Sequence, residues 1–348
     1  VRIGLDILPL LRGQIRPRSL SIADASIPLS ALPAAQGGGG LAIFDEAGLV
    51  DPDRVAAVTF DAVRQLASQL GARGVRRISA ENLAIILPDQ QAETLTIVEA
   101  TLRRGTSNDL RLDGSIEAFG RPISLRGEAT LEGADSLVTE LGLYVDMPPM
   151  PKVESGPLGQ VGAATMLVSG AETMNGSDRL TLSGRFKGAD IPVSERERDR
   201  IVADIDVAMT AQTGTGKVEV ERLRVAVGRS DWAFHGALGP APRSENVSEA
   251  PSYRFELVSD GSTVSPEGSP EPTMVVTARV AGHLSADARL LDIKEIGVRS
   301  QQGEAEGRAT VRLEAGKSPG LELRLDVGEI PVSHAKQLWP WFAAFGAR

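Results

Sequence analysis

The sequence predicts a mainly β protein whose strands form one long, curved antiparallel sheet, and three observations support this fold class. Apolar and polar residues alternate along most of the 348 residues, as in strands that have one buried and one solvated face. The chain contains 37 glycines and 21 prolines, which suits many strands separated by turns. One segment, 52–72, instead repeats its apolar residues at helical spacing.

The alternation is clearest in residues 108–133, NDLRLDGSIEAFGRPISLRGEATLEG. Leu110 and Leu112 share one parity before a turn, and Ile123 and Leu125 share one after it. Because parallel sheets that are covered on both faces have continuous apolar runs instead, this stretch predicts antiparallel strands.

The same pattern extends over most of the chain and predicts about fifteen strands. Valines and leucines change parity between Val220 and Leu223, which predicts a β-bulge at that point. The clearest alternating segments are 20–22, 83–87, 95–102, 110–116, 123–131, 180–186, 201–211, 218–227, 232–238, 253–257, 274–284, 305–313 and 321–327.

Residues 52–72 predict an amphipathic helix. Asp51 is suited to the N-cap, Pro52 to the first helical position, and Gly71 or Gly74 to the end of the helix. We interpret the helix as a cover over one end of the sheet, and a mobile plug or gate over a ligand site is the alternative. The last residues, PVSHAKQLWPWFAAFGAR, predict a short C-terminal helix. The apolar stripe of the 52–72 helix comprises Val55, Val58, Ala62, Val63, Leu66 and Leu70.

Three segments rich in glycine, proline or serine, 34–40, 147–157 and 240–272, have the composition of linkers or of long hairpin tips. We therefore predict one continuous architecture over residues 1–348 rather than separate domains. The chain begins without Met and stops in an apolar stretch, so we expect it to be a piece of a longer protein. No run of about 18 apolar residues predicts a membrane-spanning helix.

Composition and motifs argue against several function classes. The net charge is −9 and no dense basic block occurs, so we expect no nucleic-acid binding. There are no cysteines, and His235, His283 and His334 lie far apart, so we expect no metal site. The TGTGKV stretch at 213–218 departs from the phosphate-loop motif and lies between predicted strands. With no catalytic motif present, we expect no enzyme activity and no cofactor.

A sheet with one apolar face needs a cover for that face. A second sheet would give a closed sandwich or barrel, and a sheet that curls on itself would give a trough that can hold a lipid. Six glycines on the apolar parity, at 114, 127, 184, 236, 282 and 307, favour a strongly curved sheet. The residues predicted to line a groove are Leu110, Leu112, Leu125, Leu182, Phe186, Ile205, Val207, Phe234, Phe255, Val276 and Leu323; they would equally fill a closed core.

Three stretches resemble the AsmA-like family of bacterial envelope proteins, which includes YhdP- and TamB-like lipid-transfer proteins. The opening LDILPLLRGQIRPRSLSIADASIPL resembles the family's early strand–turn–strand region. The segment from VRRISAENLAIILPD to LRGEATL is similar to its repeated strand–turn units, and the IPVSHAKQLWPWFAAFGAR end is similar to a segment of YhdP-like members. The order of these degenerate motifs, rather than any single motif, carries the resemblance.

The resemblance implies a "taco"-shaped sheet whose hydrophobic groove carries phospholipid acyl chains across the periplasm to the outer membrane. It also implies an inner-membrane anchor N-terminal to this chain. This chain is far shorter than the large family members, and a helix at 52–72 would close one end of the groove. The alternative function is a structural or adhesive β-scaffold that binds envelope protein partners.

Overall fold

The fold described here is that of a computed structural model, and it is mainly β, as predicted. The structure describes residues 1–11, 14, 16–28, 43–45, 47–86, 94–105, 108–118, 120–133, 137–149, 162–192, 200–242, 250–265, 273–301, 303–312 and 320–328. The predicted C-terminal helix, the predicted linker 34–40 and most of the predicted linker 147–157 lie outside these residues. Of the segment 240–272, residues 243–249 and 266–272 lie outside them, and the part between contains a strand.

The described residues form a single sheet of seventeen strands, two more than the number predicted. Each strand pairs with the next one along the chain, so the spatial order follows the sequence from β1 to β17. The strands are β1 Arg2–Leu5, β2 Pro17–Pro28, β3 Arg77–Ile86, β4 Thr94–Arg104, β5 Asp109–Ala118, β6 Arg121–Glu132, β7 Leu137–Met147, β8 Ala163–Ala171, β9 Arg179–Pro192, β10 Arg200–Gln212, β11 Val218–Val227, β12 Ser230–Pro240, β13 Ser252–Val264, β14 Met274–Ser285, β15 Leu290–Ser300, β16 Gly303–Arg312 and β17 Gly320–Val327.

Neighbouring strands are antiparallel with one exception, since β2 and β3 are parallel. Parallel neighbours need a long crossover connection, because the chain must return to the end of the sheet from which the first strand started. The long helix α2, Pro52–Ala72, lies within that connection. A short helix, α1, Ile7–Leu10, links β1 to β2.

Helix α2 has the boundaries and the caps that the sequence predicts. The Asp51 side chain accepts a hydrogen bond from the backbone N–H of Asp53, and Pro52 occupies the first turn. Gly74, just beyond the end of the helix, has a φ of +67°, the left-handed conformation that commonly ends helices.

The predicted apolar stripe of α2 was wrong in part. The helix buries Ala56, Phe60, Ala67 and Leu70, whereas Leu66 is 37% exposed. Aliphatic residues occur on more than one side of this helix, and the buried side is the one that carries its large aromatic ring, Phe60.

Two-residue bulges occur on alternate strands through the second half of the sheet. Residues 187–188, 221–222, 260–261 and 294–295 each lie opposite a single residue of a neighbouring strand. They belong to β9, β11, β13 and β15, which run in the same direction. A bulge bends its strand and increases the local twist. The bulge predicted between Val220 and Leu223 is confirmed.

Candidate functional site

The strand pairing divides the side chains between two faces of the sheet. Directly paired residues of neighbouring strands lie on the same face, and side chains alternate along each strand. We name the face that carries Leu112 the Leu112 face and the other the Arg111 face. One row of the Leu112 face comprises Leu102, Leu112, Gly127, Leu143, Val168, Leu182 and Met209, from β4 to β10.

All eleven residues predicted to line a groove lie on the Leu112 face. In the second half of the sheet, Val207 is paired with Leu223, which in turn is paired with Phe234. Towards β17, Gly282 is paired with both Phe255 and Ile293, and Ala309 is paired with both Ile293 and Leu323. The six predicted glycines lie on this face as well.

Nine of the eleven predicted residues are half-buried. The two exceptions, Leu110 at 4% exposure and Val276 at 1%, each belong to a local packing cluster. Leu110 packs in the cluster beneath α2, and Val276 packs with Val264 and Met274 at the opposite end of the sheet.

Helix α2 covers one end of the Leu112 face. Phe60 is fully buried and belongs to a cluster with Leu110, Leu131 and Val138 of the sheet. The Phe60 ring lies 3.0 Å from the position that a Cβ atom of Gly170 would take, so the glycine leaves room for the ring. We name this end of the sheet the α2 end.

The helix lies across the strands rather than along them. At its beginning, the Asp53 carboxylate accepts a hydrogen bond from Gly216 in the β10–β11 turn, and at its end, Gly71 contacts Arg104 of β4. A 21-residue helix is about 31 Å long. This length matches the distance from β4 to β10, which is about 29 Å for six interstrand spacings.

The cover is much narrower than the sheet. A strand of 13 residues such as β10 extends about 40 Å, whereas a helix with its side chains is about 10 Å wide. The described residues form one sheet, so no second sheet among them packs over the remaining rows of the Leu112 face.

A partly buried ion pair attaches α2 to the sheet. Arg64 of the helix pairs with Glu172, which follows β8 and whose side chain is 5% exposed. The other carboxylate oxygen of Glu172 accepts a hydrogen bond from the backbone N–H of Val138, at 2.8 Å. Burial lowers the pKa of Arg64, but hydrogen bonds to Asp61 and Glu172 outweigh it, so the pKa is raised overall.

The segment before α2 is also attached to the sheet. Leu49 is 2% exposed, and the backbone N–H of Val50 donates to the Tyr253 hydroxyl at 2.6 Å. Because Tyr253 begins β13, the attachment lies at the α2 end of the sheet.

The end of the Leu112 face remote from α2 combines aromatic and polar groups. The rings of Trp232 and Phe234 are stacked with centroids 6.0 Å apart. Ser259 and Ser262, both fully buried, form a hydrogen bond of 2.6 Å to each other, and Ser262 also accepts from the backbone N–H of Ala233.

The Arg111 face carries charged residues in cross-strand pairs. Asp206 lies between Arg185 and Arg222, and Arg224 donates two hydrogen bonds of 2.7 Å to Asp231. These bonds hold the pKa of Asp231 below its usual range. The residues of polar parity therefore form an exposed, charged face, as the alternation predicts, and these charges form ion pairs between neighbouring strands.

The structure also shows where the other motifs and the histidines of the sequence lie. No group of three or more potential metal ligands occurs among the described residues, and none of the described helices is long and apolar enough to cross a membrane. Residues 213–217 of the TGTGKV stretch form the turn between β10 and β11, and Val218 begins β11. His235 is exposed, His283 is 3.4 Å from the Ser252 hydroxyl, and His334 lies outside the described residues.

Strands β7, β8 and β15 were not predicted from the sequence. Their residues on the Leu112 face include Leu143 and Val145 of β7 and Met166 and Val168 of β8. The alternation in LGLYVDM and the β-branched residues of ATMLVSG are the signals that would have found β7 and β8.

Comparison of the chain with protein-family models, curated proteins and solved structures finds no match.

Proposed function

We propose that this chain binds phospholipid acyl chains along the Leu112 face and transfers them across the periplasm, contributing to outer-membrane lipid homeostasis. The observation that carries the proposal is the set of apolar side chains on this face, over which, among the described residues, α2 packs at one end and no second sheet packs. The resemblance to AsmA-like envelope proteins supplies the compartment and an inner-membrane anchor elsewhere in the full-length protein.

Energetics favour an acyl chain as the occupant. Apolar surface that leaves water contributes about 25 cal/mol per Å², and an alkyl chain makes no demand on hydrogen-bond partners. The residues that it would contact are half-buried, for example Leu125, Val207 and Phe234.

The extent of the sheet suits transfer as well as binding. Seventeen strands at about 4.8 Å spacing extend about 77 Å. A tail that moves from strand to strand along the Leu112 face exchanges one apolar contact for another, so the movement needs no catalytic residue and no cofactor.

A charged substitution in the middle of the Leu112 face tests the proposal. Leu125 lies between Gly114 and Val145 on the neighbouring strands. We expect Leu125→Arg to cost less than about 2 kcal/mol of stability, because the guanidinium can reach water, and to lower lipid pickup at least about tenfold. Pickup is measured by incubating the protein with vesicles that contain a labelled phospholipid and counting the label on the re-isolated protein.

The matched control is Leu167→Arg. Leu167 is 40% exposed and, paired with Tyr144 and Ser183, lies on the Arg111 face of β8. It should leave pickup unchanged. If Leu125→Arg unfolds the protein, the face is a closed core, and a protein-binding scaffold is the better interpretation; pickup at the wild-type level would also contradict lipid binding.

A further inference from the structure

A row of three arginines crosses the Arg111 face at the α2 end of the sheet. Arg77 of β3 is paired in register with Arg103 of β4, which is paired with Arg111 of β5. All three are exposed. Because like charges directly opposite one another destabilise a sheet, the stability of the fold does not account for this row.

These arginines form fewer ion pairs than other arginines on the same face. Arg185 and Arg299 each pair with a carboxylate of a neighbouring strand. Within the described part of the chain, neither Arg77 nor Arg103 forms an ion pair, and Arg111 is 3.7 Å from Asp109. Arg77 and Arg103 therefore leave positive charge uncompensated on a chain whose net charge is −9, whereas Arg111 lies near Asp109 and is paired in register with Glu128 of β6.

The same strands carry acidic residues at their middle and beyond it, away from the α2 end. Glu81 of β3 is paired in register with Glu99 of β4, and Glu117 lies near the end of β5. On the Arg111 face, β3–β5 are thus positive at the α2 end and negative from the middle of the strands onward. A negatively charged surface attracts the positive α2 end of these strands and repels their acidic part, so it would orient the molecule.

Exposed apolar side chains accompany the arginines at the α2 end. Strand β1 ends there at Leu5, which pairs with Pro17, and α1 follows directly. Leu10 is 48% exposed and Leu11 is 78% exposed. Basic residues and exposed leucines at the same end of a sheet have the composition that binds the interface of anionic bilayers.

We propose that Arg77, Arg103 and Arg111, together with the exposed leucines 10 and 11, form a docking surface for an anionic phospholipid bilayer. The molecule then approaches the membrane with its α2 end. The positive charge of the surface is independent of the proposed function. The choice of a bilayer as its partner rests on the lipid-transfer function proposed above.

Vesicle flotation tests the docking surface. The full chain is mixed with vesicles of phosphatidylcholine alone or of phosphatidylcholine with phosphatidylglycerol, and the floated protein is measured. We expect binding to the anionic vesicles only, weakened by salt. The R77Q/R103Q/R111Q variant should bind them about 100-fold more weakly, because each arginine near an anionic surface contributes about fivefold.

The matched control is R279Q/R299Q/R312Q, which removes the same charge from β14, β15 and β16 of the same face. It should retain binding. The R77Q/R103Q/R111Q variant should melt no lower than the wild type, since it relieves like-charge repulsion; a lower melting temperature would assign the row a structural role and overturn the proposal.

Two further outcomes separate this inference from the proposed function. Wild-type protein that co-purifies with phospholipid but does not float with anionic vesicles would overturn the docking surface and leave lipid binding standing. Protein that floats through the three arginines but neither carries nor picks up lipid would support the docking surface and contradict lipid transfer.

Discussion

At the scale of single residues, one buried carboxylate connects the helix to the sheet. Glu172 binds Arg64 of α2 and the backbone N–H of Val138 of β7. A buried charged group whose partner is removed costs much more than an exposed one, because water cannot replace the lost interactions.

We predict that Glu172→Ala lowers the free energy of unfolding by about 2–3 kcal/mol, because it leaves the Val138 N–H unpaired and Arg64 without its buried partner. Urea denaturation measures the change. The control is Asp61→Ala, which removes the partner of Arg64 that is 56% exposed and should cost less than about 1 kcal/mol. Equal effects of the two substitutions would contradict the role assigned to Glu172.

Neither Glu172 nor its partner was predictable from the sequence. Arg64 lies on a helix and Glu172 lies 108 residues further along the chain, and nothing local to either residue indicates the pairing. By contrast, the face on which Leu125 or Val207 lies follows from the two-residue period of a strand, and the pairing places all eleven predicted residues on one face; that they line a groove stays a prediction.

At the scale of elements, helix α2 was predictable in extent but not in contacts. Asp51, Pro52 and Gly74 are local signals, and each one acts as predicted. Which side of α2 is buried depends on the sheet beneath it, so Phe60 was missed and Leu66 was wrongly placed in the buried stripe. The parallel β2–β3 pair was missed for the same reason, because pairing is a tertiary property.

Glycines on the Leu112 face permit close approach of strands at the bulges. A Cβ atom at Gly282 of β14 would lie 2.2 Å from the backbone oxygen of Asp292, next to the bulge of β15. No rotamer change can relieve a clash with backbone.

We predict that Gly282→Ala destabilises the protein by about 1–3 kcal/mol, because the two strands must separate to admit the methyl group. Thermal denaturation followed by circular dichroism measures the change. The control is Gly297→Ala in β15, where an added Cβ meets nothing within 4 Å. This substitution should be neutral or slightly stabilising, and a loss equal to that of Gly282→Ala would contradict the role of close packing.

At the scale of the whole molecule, sequence periodicity could not distinguish a sandwich from a single sheet, because both bury one parity of every strand. The distinction depends on what packs over the apolar face. Here the described strands all join one sheet, and α2 covers one end of it. The half-buried state of residues such as Leu112, Phe186 and Ile205 is a property of this arrangement and not of their local sequence.

Native mass spectrometry of the purified chain, followed by organic extraction and lipid analysis, tests lipid binding most directly. We predict protein that carries phospholipid, and loss of that lipid in the folded Leu125→Arg variant. A ligand-free mass together with a cooperative melt would contradict the account and favour a closed scaffold.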